Sequence, residues 1–311
     1  MLRKTILYLS DQPKIFRFVK RNRLARGLAR RFVAGETIDE AIEAVRQLNA
    51  TGATASLDVL GESVYEEHEA QATVEQYLML LDRIHAERLN SHVSLKLTAL
   101  GLDVRKELCI SNLSRIVERA ALQDTFVRID MEGSDYTEVT LEIFEQYMRP
   151  SFPGNVGIVL QSALRRTSQD VENAIRSGAR VRLCKGAYKE PASIAYPDKS
   201  DVDEAYVRQM KRLLEMGNYP GLATHDETII TEARKFIAEK GISPDKFEFQ
   251  MLHGIRRDLQ EQLVRDGMNL RVYVPFGTQW YPYLMRRLAE RPANLAFMTG
   301  SIVREIVRGK R

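Results

Sequence analysis

The chain has 311 residues, of which 44% are apolar and 28% are charged, and its formal net charge is +4. The length suits one large domain or two ordinary ones, and the composition is typical of a globular protein rather than of a disordered or fibrous chain. The sequence shows no apolar run long enough to span a membrane and no secretory leader. Its two cysteines, Cys109 and Cys184, exclude a disulfide framework, so we expect a cytoplasmic protein.

The first element is a strongly basic segment. Residues 1–31 carry ten Lys or Arg and a single acid, Asp11, which gives the segment a charge of +9. Apolar residues recur among the basic ones, a pattern typical of an amphipathic helix. Such a helix can dock on the main domain with its charges in water, lie on an anionic membrane surface, or bind nucleic acid. We predict a helical arm over residues 1–50, and simple docking is the favoured interpretation.

Eight short apolar runs follow the arm, and helix-period segments separate them. Strands that alternate with helices pair in parallel, and eight such units predict an α/β protein with a closed (βα)8 TIM-type barrel, a fold of about 250 residues, over residues 51–311. An open doubly wound sheet is the alternative, but no strand is followed by the Gly-rich turn of a dinucleotide-binding fold. The predicted strands span residues 53–60, 93–99, 126–131, 156–160, 180–184, 221–224, 247–252 and 270–274.

The predicted helices carry their own start and stop signals. Ser168 and Asp203 are expected as N-caps, and Gly178 and Gly241 directly follow helix ends. Beyond the eighth strand the sequence predicts an extra pair of C-terminal helices, divided near Pro292. The helices between the strands are expected at residues 66–88, 113–121, 136–149, 168–177, 203–216, 227–240 and 256–265.

Polar side chains stand at the carboxyl end of nearly every predicted strand, where (βα)8 barrels carry their active sites. Buried charges need partners, so Lys96 and Asp130, from neighbouring strands, are expected to form an ion pair. No set of His, Cys and carboxylate residues has convincing metal-ligand spacing, so no metal is predicted. The polar residues at these ends are Asp58, Glu62, Lys96, Asp130, Glu132, Gln161, Arg182, Lys185, Thr224, His225, Asp226, Gln250, His253 and Tyr273.

Two sequence clusters indicate bound groups. Tyr283 lies three residues before Arg286 and four before Arg287, so one helix face can present an aromatic ring together with cations that grip a carboxylate. In residues 182–188, two cations and a glycine follow one strand. They can hold a phosphate, or Arg182 can stabilise negative charge that arrives with a hydride on an electron-accepting ring.

In chain order, these motifs resemble the proline dehydrogenase family, FAD-dependent (βα)8-barrel enzymes of proline catabolism. The resemblance spans essentially the whole barrel, and the short chain is similar to the monofunctional bacterial form. The motifs are Leu60-Gly61-Glu62, Ser94-Leu95-Lys96-Leu97, Ile129-Asp130-Met131-Glu132, Leu160-Gln161, Arg182-Leu183-Cys184-Lys185-Gly186-Ala187-Tyr188, Ala223-Thr224-His225, Phe249-Gln250-Met251-Leu252-His253-Gly254, Arg271-Val272-Tyr273-Val274-Pro275 and Tyr283-Leu284-Met285-Arg286-Arg287.

The resemblance implies oxidation of L-proline to 1-pyrroline-5-carboxylate by hydride transfer to flavin N5, the first step of proline degradation to glutamate. It assigns the proline carboxylate to Arg286, Arg287 and Lys96. It places Tyr273, Tyr283 and Leu252 against the pyrrolidine ring. Asp130 would support Lys96 and the arginines, and Arg182 would lie beside flavin N5. Glu62 would form an ion pair with the first arginine, Arg286, in the substrate-free enzyme. This ion pair would act as a gate and would break when the site closes over the substrate.

The resemblance also implies a cofactor and partners. A membrane quinone would accept the electrons, and a separate 1-pyrroline-5-carboxylate dehydrogenase would take the product. The basic N-terminal helix would then contact the inner face of the membrane peripherally, with no nucleic acid as a partner. FAD would contact Met131, Gln161, Arg182, Lys185, Gly186, Ala187, Thr224, His225 and Gln250.

Three alternatives remain beside this hypothesis. A hydroxyproline dehydrogenase would need room and a polar partner where Tyr283 is expected, which favours plain proline. A lysine-dependent aldolase or lyase would use Lys96 or Lys185 for a Schiff base. A non-enzymatic protein would bind nucleic acid or a membrane through the basic N-terminal helix, which leaves the polar strand ends unexplained. Residues 278–281 depart from the family pattern, so the resemblance does not predict the geometry of the entry loop.

Overall fold

The computed structural model describes residues 30–290 and gives the side chains of residues 30–285. Eight parallel strands close into a barrel in which each strand pairs with its sequence neighbours and the last pairs with the first. The predicted (βα)8 fold is confirmed. The strands are β1 Thr54–Val59, β2 Ser91–Leu95, β3 Val127–Ile129, β4 Val156–Gln161, β5 Arg180–Cys184, β6 Gly221–Ala223, β7 Glu248–Leu252 and β8 Leu270–Phe276.

Helices alternate with these strands along the chain. The third helix begins at Lys106 rather than at residue 113, and the fourth continues into a π-helical turn, Phe144–Met148, and one further turn, Arg149–Ser151. The helices are α1 Ile38–Ala50, α2 Glu67–Ala86, α3 Lys106–Leu122, α4 Ser134–Ile143, α5 Thr167–Ser177, α6 Lys199–Met216, α7 Glu227–Lys240, α8 Arg257–Arg265 and α9 Trp280–Glu290.

Two predicted helix starts are wrong. Ser168 and Asp203 lie inside α5 and α6, whose N-caps are Arg166 and Asp198. In α6, Lys199 forms an ion pair with Asp203 one turn later. Pairs at this spacing stabilise a helical turn, so the helix extends toward the N-terminus past the residue whose side chain suggested a cap.

The glycine stop signals are confirmed, and one strand ends early. Gly178 and Gly241 close α5 and α7 in the left-handed conformation, with φ of 69° and 62°, which glycine adopts without a Cβ clash. The second strand ends at Leu95 instead of residue 99, because Leu97 adopts a right-handed helical conformation and Thr98–Leu100 form a 3-10 turn. Lys96 therefore lies just past the strand end, at the mouth of the barrel.

The two faces of the strands differ in polarity. Leu57 and Val93 belong to the large apolar core between the barrel and its helices, and both are completely buried. The alternate residues face inward: the Ser56 and Ser94 hydroxyls lie 2.6 Å apart, and Arg182 reaches both from the far side of the barrel. The period of two along each strand thus gives an apolar outer face and a polar interior.

Glycines on inward-facing positions make room for long polar side chains. A Cβ on Gly157 would lie 2.7 Å from Nη1 of Arg128, and one on Gly221 would lie 2.3 Å from Nε2 of Gln250. Real Cβ atoms do not approach so closely, so these two positions accept no larger residue without movement of their neighbours. The glycines let an arginine and a glutamine cross the barrel.

The segment before the barrel is described only in part. Helix α1 contributes Ile42 and Val45 to the main core. Residues 1–29 of the predicted arm and the predicted helix beyond Pro292 lie outside the described residues, so the division at residue 50 stays a prediction. Among the helices of residues 30–290, none has the length and apolar content required to cross a bilayer.

Candidate active site

A cluster of five polar side chains lies at the carboxyl end of the barrel. Lys96 Nζ lies 3.3 Å from Asp58 Oδ1, and Arg182 Nη1 lies 2.7 Å from Asp130 Oδ1. The Tyr273 hydroxyl donates to the other Asp130 oxygen at 2.8 Å, and its ring centroid lies 5.2 Å from the Arg182 guanidinium carbon. These side chains come from or directly follow β1, β2, β3, β5 and β8, and we call them the mouth cluster.

The expected ion pair between Lys96 and Asp130 is wrong. Strands β1 and β2 pair with Asp58 opposite Ser94, so Lys96, two residues on, shares the inner face with Asp58 and bonds to that carboxylate. Asp130 is instead held by Arg182 and Tyr273. Register between adjacent strands, which the sequence does not reveal, decided the partner.

Burial and charge tune the mouth cluster in opposite directions. Burial raises the pKa of Asp58 to about 6, although the Lys96 ammonium acts to lower it. Burial would lower the pKa of Lys96, but the carboxylates of Asp58 and Asp130 outweigh burial and raise it. Burial, with the Asp130 charge, also raises the pKa of Tyr273 well above its ordinary value. Lys96 is therefore a firm cation at neutral pH, and Tyr273 is a neutral donor.

Arg182 lies deep inside the barrel, with 5% of its surface exposed. Its guanidinium donates to Asp130, Ser94 and the side-chain oxygen of Gln250. Lys185 does not join this group and instead forms an ion pair with Asp226, which follows β6. Arg182 and Lys185 thus bond to different carboxylates, which argues against a phosphate site shared by the two. This arrangement favours the alternative prediction, in which Arg182 stabilises negative charge on an electron-accepting ring.

The loop after β5 is exposed to solvent, and its backbone lies close to the side chain of Gln161 on β4. Gly186 has φ of 104°, and a Cβ there would lie 3.0 Å from the side-chain oxygen of Gln161. Gln161 in turn donates through Nε2 to the Glu132 carbonyl at 2.7 Å. Ala187 is exposed. A backbone that approaches this closely, next to an ordered amide, can contact a flat or phosphorylated ligand.

Strands β6 and β7 end in groups with fixed orientation. The Leu252 amide donates to His225 Nε2 at 2.8 Å, so this ring nitrogen carries no proton. Lys185 lies 2.7 Å from Asp226, whose other oxygen caps α7 by accepting from the Thr228 amide. A groove of about 1000 Å³ adjoins this point, between α6 and α7, and includes Asp226 in its lining.

The remaining residues expected at the substrate and cofactor are placed as follows. Met131 is buried two residues after β3, Thr224 is buried directly after β6, and Leu252 is half-buried at the end of β7. Tyr283 is buried on α9, in an apolar cluster with Val33 and Leu60. The side chains of Arg286 and Arg287 lie outside the described part of α9, so the carboxylate grip and its gate with Glu62 remain predictions.

Comparison with known proteins identifies the family. A family model for proline dehydrogenase matches residues 41–300. The chain belongs to the proline dehydrogenase family. Proline dehydrogenase 1 of Bacillus subtilis (strain 168) is 42% identical over 305 residues, which cover 98% of this chain and 100% of that protein. Proline dehydrogenase of Deinococcus radiodurans is 39% identical over 307 residues and 98% of each chain. The chain is therefore an oxidoreductase of proline catabolism.

A solved structure shows the same barrel. Proline utilization A (PutA) from Bdellovibrio bacteriovorus, inactivated by N-propargylglycine, superposes with a TM-score of 0.80 at 28% identity. The superposition covers 89% of this chain and 34% of that longer chain. This chain and that protein therefore share the closed (βα)8 barrel.

Two buried carboxylates at the carboxyl end of the barrel were expected as polar strand ends but had no predicted role in the candidate site. Asp58 was a polar strand end, and its inward position at alternate residues with Ser56 was the available signal. Glu132 was similarly passed over. The Thr98 amide and hydroxyl both donate to its carboxylate, and burial raises its pKa. Among residues 30–285, no three His, Cys, Asp or Glu side chains converge in a way that could hold a metal ion.

Proposed function

We propose that the chain oxidises L-proline to 1-pyrroline-5-carboxylate with FAD as its cofactor. The observation that carries the proposal is the mouth cluster, in which Arg182 is fixed by Asp130 below an open strand-end loop and Lys96 remains cationic beside it. When bound, FAD would accept the hydride from the substrate carbon at flavin N5. The protein side chains orient the substrate, balance its charge and limit the access of water.

The strand ends from β3 to β7 suit a flavin nucleotide. Gly186 allows the backbone to come close, and Gln161 is held in place by its bond to the Glu132 carbonyl. Lys185 supplies a cation, and Arg182 supplies a second one deeper in the barrel that would favour negative charge on the reduced ring. The residues proposed to contact FAD are Met131, Gln161, Arg182, Lys185, Gly186, Ala187, Thr224, His225 and Gln250.

The substrate would lie between the mouth cluster and α9. Lys96 would attract the proline carboxylate, together with Arg286 and Arg287. Tyr273, with Tyr283 and Leu252, would form the wall against the pyrrolidine ring. Hydride transfer requires the reacting atoms about 3–3.5 Å apart, and a carboxylate fixed by several cations sets that distance.

The mouth cluster does not suit Schiff-base chemistry. A nucleophilic lysine needs a depressed pKa so that its amine is free. The pKa of Lys96 is raised, because the charges of Asp58 and Asp130 outweigh its burial. Lys185 forms ion pairs with the carboxylates of Asp203 and Asp226, so its side-chain nitrogen is already engaged. A lysine-dependent aldolase is therefore disfavoured.

The colour of the purified protein tests the proposal directly. We expect a yellow protein with a flavin spectrum, and L-proline added without oxygen should bleach it. Glycine betaine, which shares the carboxylate but has no hydrogen on nitrogen, is the control and should leave the spectrum unchanged. A protein that cannot be reconstituted with FAD, or one whose flavin no proline can reduce, would contradict the proposal.

The electron acceptor is proposed to be a membrane quinone. The observation behind this proposal is the charge of +9 on residues 1–31, which can hold the protein near an anionic bilayer. The product would pass to a separate 1-pyrroline-5-carboxylate dehydrogenase. The protein would thus be cytoplasmic, with peripheral contact to the inner face of the membrane.

A further inference from the structure

A chain of hydrogen bonds runs along the inside of the barrel from its floor to the mouth cluster. At the floor, Arg271 donates through Nε to Glu248 Oε1 at 2.8 Å and through Nη1 to the Ala55 carbonyl at 2.7 Å. The same Glu248 oxygen accepts from Gln250 Nε2 at 2.6 Å. Gln250 then uses its oxygen to accept from Arg182 Nε.

Glu248 fixes which way the Gln250 amide points. An amide can place either its oxygen or its NH2 toward a neighbour, and only the oxygen can accept from a guanidinium. Because Glu248 is a carboxylate and accepts only, it holds the NH2 end of Gln250 toward the floor. Arg271 keeps Glu248 ionised against the cost of burial: burial acts to raise the pKa of Glu248, and the Arg271 charge outweighs it and lowers the pKa.

The side chains that form this series of hydrogen bonds are buried away from solvent. Glu248 is 2% exposed, Gln250 4% and Arg271 8%, and Gly221 leaves the space into which Gln250 extends. A hydrogen bond in such surroundings is stronger than one in water, and a misplaced partner costs more. The chain therefore restrains the Arg182 guanidinium from below, while Asp130 restrains it from above.

We propose that Glu248 and Arg271 are positioning residues that hold Arg182 in its active orientation through Gln250. The inference rests on the proposed function, in which Arg182 stabilises the negative charge gained by the flavin. The hydrogen bonds of Glu248 and Arg271 connect them to each other, to Gln250 and to the Ala55 carbonyl, so they act on Arg182 only through Gln250. Glu248 and Arg271 would thus control how precisely the Arg182 guanidinium is placed.

The decisive variant is Glu248→Met with Arg271→Met, which removes both buried charges together. Replacing a buried ion pair by apolar side chains of similar volume is often neutral for folding, whereas removing one partner alone is not. We expect the double variant to fold and bind FAD, with a KM for proline within about twofold of the parent. We expect kcat to fall about tenfold, because Gln250 loses its fixed acceptor.

The flavin midpoint potential gives a second readout that does not depend on turnover. A tenfold loss in stabilisation of the two-electron reduced flavin corresponds to a potential lower by about 30 mV. Glu248→Gln is the conservative control, because its amide oxygen can still accept from both Arg271 and Gln250, and both readouts should stay near parental values. Arg128→Met is the matched control for loss of a buried floor arginine, since Arg128 bonds to the carbonyls of Ile158 and Arg180.

The outcomes separate this inference from the proposed function. A parental protein that proline cannot reduce would contradict the function itself. If the parent is active, an unchanged kcat and potential in the folded double variant overturn the positioning role. Losses as large in Glu248→Gln or in Arg128→Met also overturn it, because they would assign the effect to lost charge rather than to the orientation of Gln250.

Discussion

At the scale of single residues, the mouth cluster is defined by a balance of charge. Asp58 and Asp130 face Lys96 and Arg182, two carboxylates against two cations, in a space largely closed to water. Burying charges is tolerable only when they are paired, and each member here has a partner of opposite sign. Because these charges are already balanced, a substrate carboxylate that binds here needs additional cations from another part of the protein.

The burial of Asp58 makes a prediction about stability and pH. Its pKa is raised to about 6 in the folded protein from 3.8, so the protonated form favours folding. This contribution is complete below about pH 4 and is lost as the pH rises through about 6. The free energy of unfolding of the parent, minus that of Asp58→Asn, should therefore fall between about pH 4 and pH 6 and stay level above pH 7.

Urea unfolding at a series of pH values measures this difference. Asp135→Asn, which changes an exposed carboxyl on α4, is the control and should show no fall in the same range. A difference for Asp58→Asn that is independent of pH would mean that this carboxyl titrates normally in the folded state.

At the scale of elements, α9 carries the two arginines that are proposed to bind the substrate carboxylate. Its first turns are anchored by Trp280, Tyr281 and Tyr283, which pack with Val33 and Leu60. Leu60 directly follows β1, the strand that carries Asp58. Arg286 and Arg287 lie one turn further along the helix. The anchor therefore fixes the helix that carries both arginines relative to the mouth cluster.

Single changes of Arg286→Met and Arg287→Met test this role. Each loses one charge-assisted contact to the carboxylate, worth about 1.5–3 kcal/mol, so the KM for proline should rise about 10- to 100-fold. FAD content should be retained, and steady-state kinetics with a flavin absorbance ratio measures both quantities. Arg265→Met, which removes an exposed arginine from α8, is the control. Proline kinetics that match the control would show that the carboxylate binds elsewhere.

At the scale of the whole molecule, stability and chemistry occupy opposite faces of the same strands. The outward side chains form one continuous apolar core with the helices. The interior holds polar groups from floor to mouth, including Arg128, Glu248 and Arg271 at the floor. Because the apolar core lies outside the barrel, the barrel interior can hold a series of hydrogen-bonded polar side chains that reaches the mouth cluster.

The basic segment before the barrel makes a prediction for the whole protein. The full chain should reduce a quinone in anionic liposomes with proline as donor, and it should sediment with them. Loss of residues 1–31 should weaken sedimentation and quinone reduction, and 0.5 M salt should weaken sedimentation of the full chain, because surface charges are screened. Proline reduction of the flavin in solution serves as the control and should be unchanged. Equal binding and quinone reduction by both forms would refute membrane contact through this segment.

The sequence by itself determined the strand count, the barrel and the family. These follow from local patterns: apolar runs of strand length, helix periods between them, and glycines such as Gly178 and Gly241 that stop helices. The polar strand ends also indicated which end of the barrel carries the candidate site, because all eight parallel strands point the same way. The N-caps predicted at Ser168 and Asp203 were wrong. In α6, an ion pair between Lys199 and Asp203 stabilises a turn before the predicted cap.

Only the tertiary structure decided the partners. Lys96 bonds to Asp58 rather than to Asp130 because the register of β1 and β2 sets those two on one face. Arg182 enters the barrel interior and donates to Gln250, a residue 68 positions away along the chain. Which side chains meet across a closed barrel depends on strand stagger and closure, and neither quantity is written in any local stretch of sequence.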